Sequence, residues 1–278
     1  MLAHSYDFHT HSTASDGTLA PQVLIEKASE AGVKLIALTD HDSMSGYQAL
    51  VSSGISADIE LVAGVELTCR LDKQVVHVVG LNLDASNEQL NAHLLGLDQL
   101  RMERAKAIAL RLHKAGLPDL LEAAIGCAGG GQIGRPHFAQ ALLQMGLVND
   151  QQQAFKKYLG AGKKGDVKVE WPQLASIIEI IHAAGGVSIL AHPTKYNLTL
   201  NKVRYLVAQF SELGGDALEV GYPAVTADHQ KSLSVLVEKH QLMASGGSDF
   251  HNPDYHWTGL GRFPKVPEHL PHVLDAIR

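Results

Sequence analysis

With 278 residues, 45% apolar and 19% charged content and a formal net charge of −6, the chain has the make-up of an ordinary globular protein, long enough for one barrel or for an α/β domain carrying a smaller insertion. The acidic balance excludes a grip on long duplex nucleic acid through a broadly basic surface, while a small anionic substrate held by a few local cations or metals stays open. No run approaches the ~18 apolar residues of a membrane span, no leader-like segment opens the chain, and Cys69 and Cys127 read as free thiols of a reducing compartment, so a cytoplasmic protein is expected.

The first apolar run, YDFHTH (6–11), carries His9 and His11 two positions apart, with Asp16 five further on. A strand sends residues i and i+2 to one face, so both imidazoles are expected to aim at one point. A helical stretch over 20–31 follows, stopped by Gly32. KLIALTDHD (34–42) is the second strand run, IELVAGVEL (59–67) the third and QVVHVVGLNL (74–83) the fourth. Later come GVSILAHP (186–193), ALEVGYP (217–223) and LMASGGSDFH (242–251), separated by helical patterns over 172–184, 199–213 and 226–240. Continuous aliphatic runs alternating with helices predict an α/β fold with a parallel, closed or nearly closed sheet of seven strands, one short of the common eightfold barrel.

Residues 100–168 break this rhythm. They read as a long amphipathic helix followed by shorter ones, with the glycines of GCAGGGQIG between two of them and no strand. The expected division is therefore a barrel formed by 1–99 and 169–278 and a helical insertion or cap formed by 100–168.

Polar residues gather at the C-terminal ends of the strand runs, where a parallel barrel places its chemistry. They are His9, His11, Asp40, His41, Glu66, His192, Glu219, Asp249 and His251; His77 lies inside its run instead. A lone buried histidine is usually a hydrogen-bonded structural residue, and TDHD or SDFH read singly is a loop with capping aspartates. Convergence of five segments on one barrel end decides for metal. The candidate ligands are His9, His11, Asp16, His41, Glu66, His77, His192, Asp249 and His251. Nine imidazoles and carboxylates without a thiolate suit zinc, manganese or iron, and exceed what one ion takes, so two or three divalent ions are expected. His182, His269 and His272 read as non-ligands.

In this order, DFHTHSTASDG, LTDHDS, GVELTC, HVVGL, LAHP and SDFH resemble the PHP (polymerase and histidinol phosphatase) family of metal-dependent phosphoesterases, across essentially the whole chain. GRPHFAQALLQMGLV, YLGAGKKGDVKVEWP and IEIIHAAGGVSILAHP resemble the bacterial branch that includes 3',5'-nucleoside bisphosphate phosphatases and 5'-to-3' exoribonucleases. The resemblance implies a distorted (β/α)7 barrel and three metal positions. One is held by His9, His11, Glu66 and Asp249, one by Glu66, His77 and His192, and one by Asp16, His41 and His251. Manganese is the implied metal, with zinc or iron as alternatives.

The implied reaction is hydrolysis by metal-activated hydroxide, first of the 3'-phosphate of adenosine 3',5'-bisphosphate to give AMP, or alternatively of short 5'-phosphorylated oligonucleotides from the 5' end. Histidinol-phosphate phosphatase and a non-catalytic metal-binding module rank lower. His192, Asp40 and Asp42 are the candidate helpers for the leaving oxygen. Arg135 and His137 of GRPH are the first candidates for gripping phosphate, followed by Lys163, Lys164 and, for stacking on a base, Tyr222. Glu219 is a candidate for supporting a ligand histidine. The expected partner is a small nucleotide or short oligonucleotide, with no membrane and no long duplex; oligomeric state is not legible.

Overall fold

The computed structural model describes residues 4–54 and 58–277. Seven strands follow one another around one sheet in chain order: β1 (Tyr6–Asp7), β2 (Leu35–Leu38), β3 (Glu60–Leu71), β4 (Gln74–Leu81), β5 (Val187–Leu190), β6 (Ala217–Gly221) and β7 (Met243–Gly246). β2 and β6 are buried along their whole length, as strands covered on both faces must be. Past the ends of β1 and β7, Thr10 and Phe250 form a parallel bridge and the His11 N–H donates to Phe250 O at 2.8 Å, so the sheet curls into a nearly closed barrel.

β4 corrects the expectation of an all-parallel sheet, since it runs antiparallel to both β3 and β5. The cause is local: only Asp72 and Lys73 separate β3 from β4, and a two-residue link joins antiparallel strands only. Asp72 takes the positive φ of +53° that such a turn asks for. This reversal places His77 in mid-strand opposite Thr68, which is why it alone lies inside an apolar run.

Helices α1 (Pro21–Glu30), α2 (Ser45–Ser53) and α3 (Glu88–Lys114) come before β5, as do α4 (Leu121–Ala128), α5 (Arg135–Gln144) and α6 (Gln151–Ala154), the last continued by a wide turn over Phe155–Leu159. α7 (Leu174–Ala183), α8 (Leu200–Glu212) and α9 (Ala227–Lys239) alternate with the last three strands. The serine-rich α2 has no side-chain cap and only two buried residues, Gly46 and Leu50, so neither capping nor periodicity announces it in the sequence. Among the described residues no helix is long and apolar enough to cross a membrane.

The 27-residue α3 spans the expected division at residue 100 and serves both sides of it. Its Leu90 and Leu97 pack in the cluster that lines the barrel. Ala105, Ile108, Ala109 and Leu112 pack in a second cluster with Phe138, Leu142 and Leu159 from the helices that follow. A continuous helix rooted in two cores holds the helical layer at a fixed angle over the barrel mouth, because interiors packed at crystal-like density yield little.

Candidate metal centre

β1 is regular only over Tyr6–Asp7, shorter than the run to His11 suggests. Asp7 explains this: its buried carboxylate accepts from the backbone N–H groups of Ser248 and Gly261, both at 2.8 Å, and draws the chain out of the ladder. Burial pushes the Asp7 carboxyl up to about 6. Gly247 passes so close that a Cβ there would lie 2.4 Å from His9 Cβ, so only glycine fits. His9 and His11 still point to one place, with each Nε2 3.2 Å from Glu66 Oε2.

Around that oxygen the other candidate ligands assemble. Asp249 Oδ1 lies 3.5 Å from His9 Nε2 and 3.4 Å from His11 Nε2. His41 Nδ1 is 3.0 Å from Glu66 Oε2, while His77 Nδ1 and His192 Nε2 reach Glu66 Oε1 at 3.0 and 2.9 Å. Asp16 Oδ1 stands 3.3 Å from His251 Nε2 and 3.9 Å from His41 Nε2 and from His11 Nδ1. The ligand atoms fall into four overlapping groups: His9, His11 and Asp249; His9, Glu66 and His192; His41, Glu66 and His77; and His11, Asp16, His41 and His251. All nine expected ligands are among them. Compared with the sets the family resemblance implies, His11 joins the Asp16 group, and His77 and His192 meet on Glu66 from different sides, one beside His41 and the other beside His9.

Polar accounting fits cations here. His9 Nε2, both ring nitrogens of His11, His41 Nδ1, His192 Nδ1, Glu66 Oε2 and Asp16 Oδ1 are buried without a hydrogen-bond partner among the described residues. Each such orphan costs about 1–3 kcal/mol unless something compensates, and divalent ions held by these groups would compensate those atoms that face the centre. The charges are tightly coupled. Burial works against the Glu66 anion, yet His41, His9 and His77 hold its carboxyl well below the usual range. Burial also disfavours protonated His11, but the facing carboxylates of Asp249 and Glu66 prevail and push it up to about 10. His41 goes the other way, pulled down to about 3 by burial against the opposing pull of Glu66 and Asp16. Strained backbone gathers here too, with φ of +28° at His192 and +46° at Asp249.

Other candidates have other roles. Glu219 accepts from His9 Nδ1 at 2.9 Å and from the His192 N–H at 2.6 Å, which fixes the His9 tautomer and leaves Nε2 facing the centre. Asp40 and Asp42, expected as candidate helpers of the leaving oxygen, have carboxylates engaged by neighbouring groups. Asp40 accepts from Ser12 N, Ser12 Oγ and Ser15 Oγ, each at 2.7 Å, clamping the loop that bears Asp16. Asp42 accepts from Thr68 N at 2.6 Å and Arg101 Nε at 2.7 Å. His137 does not offer its ring to phosphate: Nδ1 accepts from Gly134 N at 3.0 Å and Nε2 donates to Ser15 O at 3.1 Å. Tyr222 is fully buried, with its hydroxyl 2.7 Å from Thr194 Oγ1, so its ring cannot stack on a base. Lys163 and Lys164 line a separate surface hollow with Arg111, Lys114 and Lys157. His182 pairs with Asp216 at 2.7 Å, His269 lies 3.7 Å from Glu238 and His272 Nε2 lies 3.0 Å from Tyr6 Oη.

A cavity of about 480 Å³ opens beside the centre, with Asp16, His41 and His77 among its lining residues. Arg70, Lys73, Arg101, Arg104, Arg135 and Lys168 also face it, with Phe155 and Trp171. Arg70 is paired with Glu170 at 2.7 Å and Arg101 with Asp42. Arg104 and Arg135 have no ion-pair partner among the described residues and donate only to backbone carbonyls, those of Val167 and Leu159. Burial first, then repulsion from Arg135 and Arg101, pulls Arg104 down to about 10. Sequence reasoning found Arg135 here but missed Arg101 and Arg104. Their one signal was the i, i+3 spacing in LRMERAK, which also suits a solvated helix face. Lys195, which reaches Asp249 Oδ2 at 2.6 Å, was missed too, although it lies three residues after His192.

The PHP domain family profile matches residues 7–172 of this chain. A 5'-3' exoribonuclease of Haemophilus influenzae is 41% identical over 261 residues, covering 94% of each chain. A 3',5'-nucleoside bisphosphate phosphatase of Chromobacterium violaceum is 33% identical, covering 94% of this chain and 92% of its own. A Chromobacterium violaceum structure described as an amidohydrolase with bound sulfate and no metal superposes with a TM-score of 0.90 at 32% identity, over 99% of this chain and 96% of the other.

Proposed function

The chain belongs to the PHP domain family and is a metal-dependent phosphoesterase, and from that premise we propose that it hydrolyses the phosphate next to a 5'-phosphorylated nucleotide, releasing mononucleotides from the 5' end of short RNA. A nucleoside 3',5'-bisphosphate is then the shortest substrate of the same site. On sequence alone the bisphosphate ranks first; the order is reversed here because 41% identity to an exoribonuclease exceeds 33% to the phosphatase.

One observation carries the reading: Arg104 and Arg135, in no direct ion pair among the described residues, line the same cavity as three metal-ligand candidates. Guanidiniums that face Asp166 across the cavity without a direct ion pair suit a phosphate dianion, which Arg binds with two parallel donors. A terminal 5'-phosphate seated there presents the next phosphorus to the centre. His9, His11, Asp16, His41, Glu66, His77, His192, Asp249 and His251 would hold two to three divalent ions, manganese first, with Glu66 shared between groups. Bound there, such ions supply an activated water and neutralise charge developing at phosphorus. Glu219 keeps His9 oriented, Asp40 and His137 hold the loop bearing Asp16, and α3 with its arginines covers the mouth and limits water.

The test is phosphate and nucleotide release by manganese-loaded protein from a 5'-phosphorylated tetraribonucleotide, its 5'-hydroxyl counterpart and adenosine 3',5'-bisphosphate. Mononucleotides from the first, at least about tenfold faster than from the second, are expected, since a charge-assisted contact contributes about 1.5–3 kcal/mol. Turnover of the bisphosphate alone would replace this reading with that of a small-molecule phosphatase.

A further inference from the structure

A second cavity, of about 250 Å³, adjoins the centre on the side of His251. Ser15, Asp16, Pro136 and Phe155 line both cavities, so the Asp16 ligand group lies in their common wall. Their chemistry differs sharply. No lysine or arginine lines the second cavity, which offers Gln140, Gln151 and Asn252 beside the rings of Phe155 and Tyr255. The three amides are poorly satisfied. Among the described residues the Gln140 side chain has no hydrogen-bond partner, the Gln151 amide oxygen accepts only from the Tyr255 hydroxyl at 3.4 Å, and the Asn252 amide oxygen only from Asp254 N at 2.9 Å. Their NH2 groups remain available, in a hollow that includes one side of the centre. At its rim Tyr255 stacks on Trp257, with ring centroids 4.5 Å apart and an interplanar angle of 17°. Trp257 is 67% exposed, the highest value among the exposed large apolar side chains.

We infer that this second cavity seats the nucleoside on the 3' side of the scissile phosphate, with the Gln140, Gln151 and Asn252 amides bonding its base and ribose and the Tyr255–Trp257 stack carrying the next base. The inference rests on the oligonucleotide reading above and deepens it. Release of a 5'-mononucleotide breaks the P–O3' bond: water adds to phosphorus opposite O3', and the terminal nucleoside departs with a 3'-hydroxyl. The phosphate stays on the 5' oxygen of the next nucleoside, which therefore needs a seat of its own on the phosphorus side of the centre. Two cavities flanking one ligand group, one rich in lysine and arginine and one with neither, supply a seat for each half of a cleaved strand. Uncharged amides and aromatic faces are the groups that hold bases rather than phosphates. The cationic cavity takes the terminal 5'-nucleotide and the second cavity the 3' strand, which keeps the scissile phosphate on its 5' oxygen.

The discriminating substrate is the nucleoside 3',5'-bisphosphate, which has no nucleoside beyond its scissile phosphate and so leaves the second cavity empty. In manganese-loaded full-length protein, Trp257→Ala and the double variant Gln140→Ala/Asn252→Ala should lower the ratio of kcat/KM on a 5'-phosphorylated trinucleotide to that on the bisphosphate. The drop should be about tenfold, because a base stack contributes about 1–3 kcal/mol. Arg135→Ala should depress both substrates and leave the ratio near that of wild type. Independently of turnover, the trinucleotide should quench the fluorescence of Trp257 in a Trp171→Phe background, and the bisphosphate should not. An unchanged ratio in both second-cavity variants, with the wild type cleaving the trinucleotide, would overturn the inference alone. A wild type that turns over the bisphosphate but never the trinucleotide would overturn the oligonucleotide reading and this inference with it.

Discussion

His41 and Arg104 face the same cavity and are held there in opposite ways. His41 follows β2 and forms a parallel bridge with Glu66, so backbone pairing sets its position. Arg104 comes from α3, a helix tied to the barrel by Leu90 and Leu97 and to the helical layer by residues from Ala105 onward. The barrel fixes its ligands by register; the helical layer delivers its cations by packing. Errors in the first should abolish chemistry, while errors in the second should weaken binding or stability.

The strongest challenge to that contrast is Glu66→Gln. Glu66 faces His9, His11, His41, His77 and His192 at once, so removing its charge should cut kcat on the order of 10³-fold, the scale of losing a preorganised electrostatic contact. Metal content measured on the purified variant should fall with it. Arg101→Leu probes the helical side: it leaves the buried Asp42 carboxylate without its cation, at a cost of about 3–5 kcal/mol in denaturant unfolding. A smaller loss would mean that α3 is anchored by its two apolar clusters alone. Glu219→Gln touches no expected metal position directly, yet should weaken metal affinity about 10–100-fold by loosening the His9 tautomer, as equilibrium dialysis would read.

The pH dependence follows from His11. Its pKa is raised to about 10 in the metal-free protein, so below that pH the ring carries a proton that metal must displace. Affinity should therefore rise with pH, about tenfold per unit between roughly pH 6 and 9 for one proton released. Calorimetry in buffers of different ionisation enthalpy would count the protons. The smallest expected effect is that of Lys163→Ala/Lys164→Ala, within about twofold in kcat/KM on the bisphosphate, because those lysines face a different hollow and exposed single charges contribute little.

The contrast also explains what was legible in the sequence. Ligands set by backbone register announce themselves, because apolar runs mark the strands and polar residues close them; His9, His41, Glu66 and Asp249 were read that way. His77 was readable only as an exception, since the two-residue turn at Asp72 and Lys73 reverses its strand. Residues set by packing do not announce themselves. Arg101 and Arg104 have the spacing of a solvated helix face, and only the docking of α3 turns them inward. Tyr222 errs in the reverse direction, an aromatic at a strand end that looks like a stacking platform and is instead core. Asp40 and Asp42 look like acid–base groups because sequence shows their charge and not the serines and arginine that occupy them.

The two outer edges of the barrel meet at the centre: His9 and Asp249, 240 positions apart, face each other at 3.5 Å. During synthesis the chain thus spends nearly its whole time on the ribosome with one of the three members of the His9–His11–Asp249 group missing. The first five strands can pair through neighbouring contacts long before then, but this part of the centre forms only after β7 emerges and the costliest loop closes last. An incomplete chain would already carry the His41–Glu66–His77 and His9–Glu66–His192 groups but not the two that need Asp249 or His251, so a full complement of bound ions would report that the segment after β7 has joined the barrel.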